Sequence, residues 1–324
     1  MTIVRDGSES AQNDEEDERM LTAYQIDRFH RDGLLVLRGV FSLDEVQALQ
    51  LAADEVTKEA LAGAGSGHGY RDIDGHRQYY RTDGVLWERS AAFRMATVNP
   101  GLLASVSQCL GHPFMPINDS LVVKLPHSGV AIPWHQDPPY DGADGRAETF
   151  GIPNFDCDIY LDAATIDSGC LYGLAGCHLV GHVELERFHE DELFSRTDAV
   201  PLEMAPGDVL FHAITAPHGS KANDSNTLRR VFYVHYMAQE VLETLHPEWV
   251  GTKRGFRGRD IQEVQGMLDE RIGAGLGGPS TAKVKLTPHG FVFLGEPVTQ
   301  PRHWKSLVAD LAPDQVRAVK TLAS

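Results

Sequence analysis

The sequence has few cysteines and no long apolar run. Among its 324 residues only Cys109, Cys157, Cys170 and Cys177 are cysteines, and no two of them form a Cys-x-x-Cys pair. This excludes a disulfide scaffold and disfavours a structural zinc knuckle. No apolar run reaches the roughly 18 residues of a membrane span, and the N-terminus lacks the apolar core of a signal peptide. We therefore expect a cytoplasmic protein.

Positive charge is also scarce. The chain has 29 lysines and arginines against 46 acidic residues, which gives a formal net charge of -17. Because nucleic acids and many membrane surfaces are polyanions, so acidic a chain excludes both as partners, and we expect a small-molecule substrate. Residues 1–20 hold seven of the acids and almost no apolar pattern, which predicts a disordered acidic tail. The oligomeric state does not follow from the sequence.

Two capping boxes mark helix starts after this tail. Thr22–Gln25 and Ser42–Glu45 each place a hydroxyl three residues before a Gln or Glu, the spacing that satisfies the first backbone N–H groups of a helix. The second helix is predicted to run to about Leu61. The apolar segment 34–40 between the two helices predicts a buried strand.

Segment 62–84 is rich in glycine, charged and aromatic residues. It is too long for an ordinary connection, so we predict an irregular loop that is either mobile or a lid. The lid candidates are Tyr79, Tyr80 and Arg81. The later stretch Phe93–Leu110 is helical in pattern but is interrupted by the Asn99-Pro100 pair.

After residue 115 the hydrophobic period changes from helical to two. Segments with this period are 120–125, 155–162, 170–174, 208–213 and 228–238. Helices followed by many short strands predict a mainly β fold, a sandwich or barrel with helices on one side. We expect one domain over 21–324, made of a helical part, a β core and a C-terminal extension. Their predicted bounds are 21–115, about 116–240 and 241–324, with a last helix over 303–322.

The stretch PWHQDPPYD places His135 and Asp137 two residues apart. Residues at i and i+2 of an extended segment point to one side, so both can converge on one ion, although this motif alone is common. A Pro-Gly-Asp turn leads into a predicted strand that ends at His218, and Arg229 follows eleven residues later in the next strand. Two histidines and one carboxylate leave half of an octahedral Fe(II) open for a bidentate co-substrate and O2.

Arg229 suits the distal carboxylate of one such co-substrate, 2-oxoglutarate, because its planar fork pairs bidentately with carboxylates. Ser220, two residues after His218, supplies a hydroxyl for the same group. His212 competes with His218 as third ligand, but its place inside a buried strand favours a packed core residue. Roles in the site and in packing both remain open for His235, Lys124, Asn118, Ser120, Trp134 and Tyr140, whereas His178 and His182 are predicted turn residues.

Several segments together resemble the phytanoyl-CoA dioxygenase family. They are the opening LTAYQIDRFHRDGLLVLRGVFSLDEV, HQD at 135–137, SGCLYGLAGCHLVGH at 168–182, GDVLFH at 207–212, and His218-x-Ser220 followed by Arg229. The resemblance extends over about residues 21–240 and implies a double-stranded β-helix (jelly roll) and an oxygenase that uses Fe(II), 2-oxoglutarate and O2. It implies that His135, Asp137 and His218 bind the metal and that Arg229 and Ser220, with Asn118 as a looser match, bind 2-oxoglutarate.

The activity implied by the resemblance is hydroxylation of a small molecule, with succinate and CO2 as co-products. Asp137 stands where related halogenases have alanine or glycine, so halogenation is disfavoured. An arginine-to-lysine ratio of 21 to 8 favours a GC-rich bacterial source and hence natural-product biosynthesis. Two alternatives remain, a zinc-binding cupin-like hydrolase and a non-catalytic jelly-roll binding protein. The chain departs from the family at Ala175-Gly176-Cys177-His178, where Pro-Gly-Ser-His is usual.

Overall fold

The structure, a computed structural model, describes residues 21–84, 86–137, 151–179, 183–245, 247, 261–276, 284–295, 304 and 307. The predicted acidic tail, most of the predicted helix over 303–322, Tyr140 and His182 lie outside these residues. The helices are α1 (Ala23–Asp32), α2 (Leu43–Leu61), α3 (Leu86–Arg89), α4 (Ala91–Thr97), α5 (Pro100–Leu110), α6 (Glu190–Phe194), α7 (Gln239–Leu245) and α8 (Ile261–Gly273). The strands are β1 (Leu34–Leu37), β2 (His68–Ile73), β3 (His76–Asp83), β4 (Phe114–Lys124), β5 (Ile132–His135), β6 (Phe155–Tyr160), β7 (Leu171–Leu174), β8 (Ala199–Leu202), β9 (Val209–Ala213), β10 (His218–Ser220), β11 (Arg229–Ala238), β12 (Val284–Thr287) and β13 (Gly290–Phe293).

The first two helices begin at the residues that the sequence predicted, and the second ends at Leu61 as predicted. Thr22 and Ser42 each form the expected capping box in front of α1 and α2. Gly33 ends α1 in the left-handed conformation, with φ of 71°, which glycine adopts without strain. Asn99 caps α5 and Pro100 is its first residue, so this pair starts a new helix after α4.

The strands form two antiparallel sheets, which confirms the predicted mainly β fold. The larger sheet has nine strands: its main path is β1-β9-β6-β11-β4-β13-β12, and the β2–β3 hairpin joins it where β3 pairs with β4. The smaller sheet has the order β5-β10-β7-β8. Residues of both sheets line one cavity, so the site lies between the two sheets.

The two faces of the larger sheet differ in character. Phe232 of β11 points to the helices, and its ring centroid lies 4.8 Å from that of Phe93 in α4. On the opposite face, Asp158 of β6 is the cross-strand neighbour of Tyr233 in β11, and Asp156 is the neighbour of His235. Buried polar residues need partners, so this inner face indicates a functional site and not a simple core.

The side chains of two adjacent arginines of β11 point to opposite faces of the larger sheet. Arg229 lines the cavity. Arg230 points outward, where its Nε and Nη2 donate to the two carboxylate oxygens of Asp162 at 2.8 Å and 2.9 Å. It also contacts Asp54 of α2. Arg230 therefore joins the sheet to a helix, and the two adjacent arginines point to opposite faces, as successive residues of a strand do.

Segment 62–84 is not the irregular loop that the sequence predicted. Most of it forms the β2–β3 hairpin, whose strands meet at the Asp74-Gly75 turn. In β3, Arg81 pairs with Val122 of β4. The prediction was wrong because the hairpin strands are polar and mostly half-buried, so backbone pairing with β4, and not an apolar alternation, determines their structure.

The predicted strand ending at His218 is two strands in two sheets. β9 ends at Ala213 in the larger sheet, and His218 begins β10 in the smaller sheet. Between them, the backbone N–H of Ala216 donates to the carbonyl of Ala213 at 2.8 Å, which closes a turn. Because the residues on both sides of this turn are buried, the hydrophobic pattern does not show where the chain changes sheet.

The described part of the C-terminal extension packs on the rest of the fold. Phe291 of β13 pairs with Phe114 at the start of β4, and Arg271 of α8 donates to Glu45 of α2 at 2.7 Å. The extension therefore covers part of the β4 edge, where an unpaired strand would be open to other chains.

None of the helices in the described residues combines the length and the hydrophobicity that a membrane span requires.

Candidate active site

Two histidines and one aspartate converge in the smaller sheet. His135 ends β5 directly opposite His218 in β10, and their ring centroids are 4.2 Å apart. The backbone N–H of Asp137 donates to the carbonyl of Ile214 at 2.9 Å. Its carboxylate oxygens lie 3.6 Å from Nε2 of His135 and 3.7 Å from Nε2 of His218. The structure thus brings together the three residues predicted as metal ligands.

Backbone carbonyls orient both histidines. Nδ1 of His135 donates to the carbonyl of Pro133 at 2.8 Å, and Nδ1 of His218 donates to that of Ala216 at 3.0 Å. With these tautomers, assigned from the contacts, each Nε2 keeps a lone pair and faces Asp137. Burial, and next the charge of His135, lower the pKa of His218 to about 3, so this ring is neutral near pH 7. A neutral, oriented imidazole is suited to bind a metal ion.

Gly219 allows the two histidine-bearing strands to approach each other. A Cβ at this position would lie 3.2 Å from the carbonyl oxygen of Ile132 and 3.2 Å from Cα of Trp134, which is tighter than side chains normally pack. The glycine between His218 and Ser220 therefore keeps β10 at pairing distance from β5.

His212 is more than the packed core residue that the sequence favoured. It is buried in β9, but its Nδ1 lies 3.0 Å from the Asp158 carboxylate and its Nε2 lies 3.4 Å from Oδ2 of Asp137. Burial alone would lower the pKa of His212, but the two carboxylates raise it well above its ordinary value. Burial opposes ionisation of Asp137, yet the hydrogen bond from His212 holds its pKa well below the usual range. His212 therefore links Asp137 to the protein interior as a cation.

The sequence analysis missed the two aspartates of β6. Asp158 is fully buried, and burial raises its pKa to about 6. Asp156 lines the cavity and lies 2.8 Å from Nδ1 of His235. Asp137, Asp156 and His212 also lie within ligand distance of one another. The segment FDCDIY could have indicated them. Acids at a period of two inside an apolar strand are buried only where polar side chains are available as partners.

The cavity beside the ligand cluster has about 730 Å³ of empty space, its opening included. Two of the three lid candidates, Tyr80 and Arg81, line it, whereas Tyr79 is buried in the core. Trp134 packs against Phe194, with ring centroids 5.2 Å apart, and does not line the cavity. Other predicted or open candidates that line it are Asn118, Ser120, Ser220, Arg229 and His235.

His178 lies in a single helical turn as predicted, with Nε2 3.1 Å from the carbonyl of His30.

Two buried basic side chains are neighbours beyond Ser220. Arg229 is in register with Lys124 of β4, and each residue is only 1% exposed. Nε of Arg229 is buried without a hydrogen-bond partner among the described residues. Lys124, for which roles in the site and in packing had both remained open, donates to the backbone carbonyls of Ser220 and Lys221. Burial, and next the charge of Arg229, lower the pKa of Lys124 to about 6, so a bound anion would stabilise this pair.

Comparison with known proteins identifies relatives of the chain. The phytanoyl-CoA dioxygenase (PhyH) family model matches residues 29–231. The chain is 26% identical over 255 residues to a methylphosphonate hydroxylase of Gimesia maris, which covers 78% of this chain and 95% of that protein. AviO1 of Streptomyces viridochromogenes Tue57 is 25% identical with a TM-score of 0.55, covering 67% of this chain and 95% of its own. EctD of S. alaskensis, solved with 2-oxoglutarate and 5-hydroxyectoine, has the same fold at 22% identity and a TM-score of 0.55, covering 78% and 90%.

These comparisons confirm the fold, the enzyme class and the cofactors that the resemblance implied, and they decide against a zinc hydrolase and a non-catalytic binding protein. The family model covers more than half of the chain. The protein therefore belongs to the phytanoyl-CoA dioxygenase family of Fe(II)- and 2-oxoglutarate-dependent oxygenases.

Proposed function

We propose that the protein hydroxylates a small molecule with Fe(II), 2-oxoglutarate and O2, and that His135, Asp137 and His218 hold the metal. One observation carries the proposal: the ligand atoms of these three side chains lie within 4.8 Å of one another. They border a cavity that also contains Arg229. Succinate and CO2 are the expected co-products.

The donor set of this cluster fits Fe(II). Two imidazoles and one carboxylate occupy one side of an octahedral ion and leave its other positions to co-substrates. Asp137 is ionised because the hydrogen bond from His212 lowers its pKa, so it offsets part of the metal charge. The second possible ligand group, Asp137, Asp156 and His212, fits less well. Both ring nitrogens of His212 face carboxylates, so neither keeps a free lone pair for a metal.

Arg229, Lys124 and Ser220 suit the distal carboxylate of 2-oxoglutarate. Ser220 lies two residues along β10 from His218, about 7 Å in an extended strand, which a five-carbon diacid spans. Burial and the charge of Arg229 disfavour a charge on Lys124, and a carboxylate between the two side chains offsets that repulsion. Asn118 lines the same cavity from β4 and is a weaker candidate for a contact with the co-substrate.

When bound, the iron, 2-oxoglutarate and O2 would together supply the oxidant that replaces a substrate C–H bond with C–OH, while the second oxygen atom would enter succinate. The chain determines where this happens. The carbonyls of Pro133 and Ala216 fix the directions of the two histidine ligands, and His212 fixes the carboxylate of Asp137. Apolar side chains of the cavity, such as Leu171, keep water away from the co-substrate.

Succinate release tests this function. Anaerobically Fe(II)-loaded protein receives O2, 2-oxoglutarate and a panel of metabolites, and succinate and product masses are measured. We expect Fe(II)-dependent succinate formation that a substrate accelerates, with a product heavier by one oxygen atom. Methylphosphonate belongs in the panel because it is in the name of a similar protein. Turnover that consumes no 2-oxoglutarate would contradict the proposal.

Binding of 2-oxoglutarate is expected to take up a proton at about pH 7.5. With a pKa of about 6, Lys124 is neutral in the free protein at this pH, and an adjacent carboxylate raises that pKa and protonates the amine. Above pH 6 the dissociation constant should therefore rise with pH, by up to about tenfold per unit. Calorimetry of Mn(II)-loaded protein, without O2 and in buffers of different ionisation enthalpy, counts the protons.

Lys124→Met removes the titrating amine but keeps the length of the side chain. This variant should bind 2-oxoglutarate without proton uptake. Lys221→Met is the matched control, because Lys221 is exposed and lies over the ring of Phe194, and its uptake should equal that of the wild type. Undiminished uptake in Lys124→Met would assign the proton to another group.

A further inference from the structure

A second guanidinium, besides that of Arg229, lines the cavity and lies on the β2–β3 hairpin. Arg81 pairs with Val122 of β4, so its side chain lies on the inner face of the larger sheet, where it lines the cavity beside Tyr80. One terminal nitrogen contacts Asp83. Its Nε, however, is buried and has no hydrogen-bond partner among the described residues. The guanidinium therefore keeps a donor for a ligand.

The acidic side chains of the cavity already have partners or a role in the site. Asp119 accepts hydrogen bonds from two backbone N–H groups at the start of α3. Asp156 lies 2.8 Å from Nδ1 of His235, and Asp137 belongs to the ligand cluster. These carboxylates do not complete the hydrogen bonding of Arg81, which forms an ion pair with Asp83. An anion from solution can complete it.

The hairpin holds this cation at the cavity and leaves it accessible. Arg71 of β2 donates to the carbonyl of Ala131 at 3.0 Å, in the segment before β5. The guanidinium of Arg71 also lies 5.0 Å from the ring centroid of Tyr80, the residue that precedes Arg81. The side chain of Arg81 is 37% exposed, so a ligand from solution can reach it.

We propose that Arg81 binds an anionic group of the primary substrate, and that the substrate class is therefore small oxyanions, namely carboxylates, phosphonates or phosphates. This inference rests on the proposed function, which assigns Arg229 and Lys124 to 2-oxoglutarate and leaves Arg81 for a second anion. A guanidinium pairs bidentately with such groups. In a chain with a net charge of -17, a cation at the cavity attracts an anion that the rest of the surface repels.

The position of Arg81 also suits the reaction. It lies close enough to Asp137 for their charges to interact. An anion held by Arg81 therefore places its neighbouring carbon atoms beside the ligand cluster, where the C–H bond is to be oxidised. Anchoring one end of a small substrate in this way aligns the other end for reaction.

Phosphorus NMR with methylphosphonate as the probe tests the subsite. The full-length protein is loaded with Mn(II) and 2-oxoglutarate without O2, and the paramagnetic ion shortens the phosphorus relaxation time of any phosphonate bound near it. We expect saturable relaxation enhancement in the wild type. In Arg81→Gln the half-saturating concentration should rise about 10- to 100-fold, because a charge-assisted hydrogen-bonded pair is lost.

Arg77→Gln and an uncharged probe are the controls. Arg77 is exposed on the same strand, and its guanidinium lies 3.8 Å from the ring centroid of Tyr70, so its loss should leave the half-saturating concentration unchanged. Dimethyl methylphosphonate has no charge and should give no saturable enhancement in any variant. Calorimetric affinity for 2-oxoglutarate should be the same in the wild type and both variants.

Several results would overturn the assignment. They are an absence of saturable enhancement in the wild type, equal enhancement by the ester, and an unchanged half-saturating concentration in Arg81→Gln. A loss of 2-oxoglutarate affinity in Arg81→Gln would instead place this arginine on the co-substrate. Failure of the proposed function is a separate result, namely wild-type protein that does not bind 2-oxoglutarate in the calorimetric titration.

Discussion

Alanine in place of His135 is expected to abolish turnover and metal binding while leaving the fold intact. The side chain is 38% exposed, so its removal should lower the free energy of unfolding by no more than about 1 kcal/mol. A divalent ion would lose one of its three protein ligands, and its affinity should fall by more than about 100-fold. Metal content after anaerobic Fe(II) loading, succinate release and the melting temperature of the metal-free protein measure these effects.

His76→Ala controls for the loss of an imidazole. His76 is exposed at the start of β3, so this variant should keep full iron content and activity. Folded His135→Ala protein with full iron and activity would show that other side chains hold the metal. The group formed by Asp137, Asp156 and His212 would then be the first to test.

Lysine in place of Arg229 is expected to weaken 2-oxoglutarate binding by about 2–3 kcal/mol, or roughly 30- to 150-fold, because a point charge cannot reproduce the bidentate fork. The free protein should lose little stability, since the Nε of Arg229 has no hydrogen-bond partner among the described residues. Anaerobic calorimetry with Mn(II)-loaded protein measures the affinity, and thermal unfolding of the free protein measures the stability.

Arg230→Lys is the matched control, and we expect the reverse pattern. It breaks the two-bond contact with Asp162, which should lower the free energy of unfolding by about 1–2 kcal/mol. Its affinity for 2-oxoglutarate should be unchanged, because the side chain points away from the cavity. If Arg230→Lys weakened binding and Arg229→Lys did not, the co-substrate would not be held by Arg229.

Local patterns made much of the fold predictable from the sequence. The capping residues Thr22 and Ser42 act within one helical turn, so their effect is visible in four consecutive residues. His135 and Asp137 could be paired because an extended segment places i and i+2 on one side. His218 was found through its spacing to Arg229 and through the family motifs, and the structure places it directly opposite His135.

What the sequence did not reveal depends on pairing between distant segments. The β2–β3 hairpin exists because β3 finds a partner in β4, some forty residues farther along the chain. The role of Asp158 depends on His212, which is 54 residues away. No local period encodes such a contact. A buried acid in a strand predicts that a partner exists, but the identity of that partner comes only from the register of the sheet.

The adjacent arginines of β11 have a consequence for folding as well as for binding. Nine of its ten residues are buried, and apolar side chains occupy both of its faces, so a slip by one residue would still bury them. Such a slip would either put Leu228 in place of Arg229 at the cavity or leave Asp162 facing Val231. Only one alignment satisfies both guanidinium groups, so this pair of charges, and not the apolar residues, makes the position of the central strand unique.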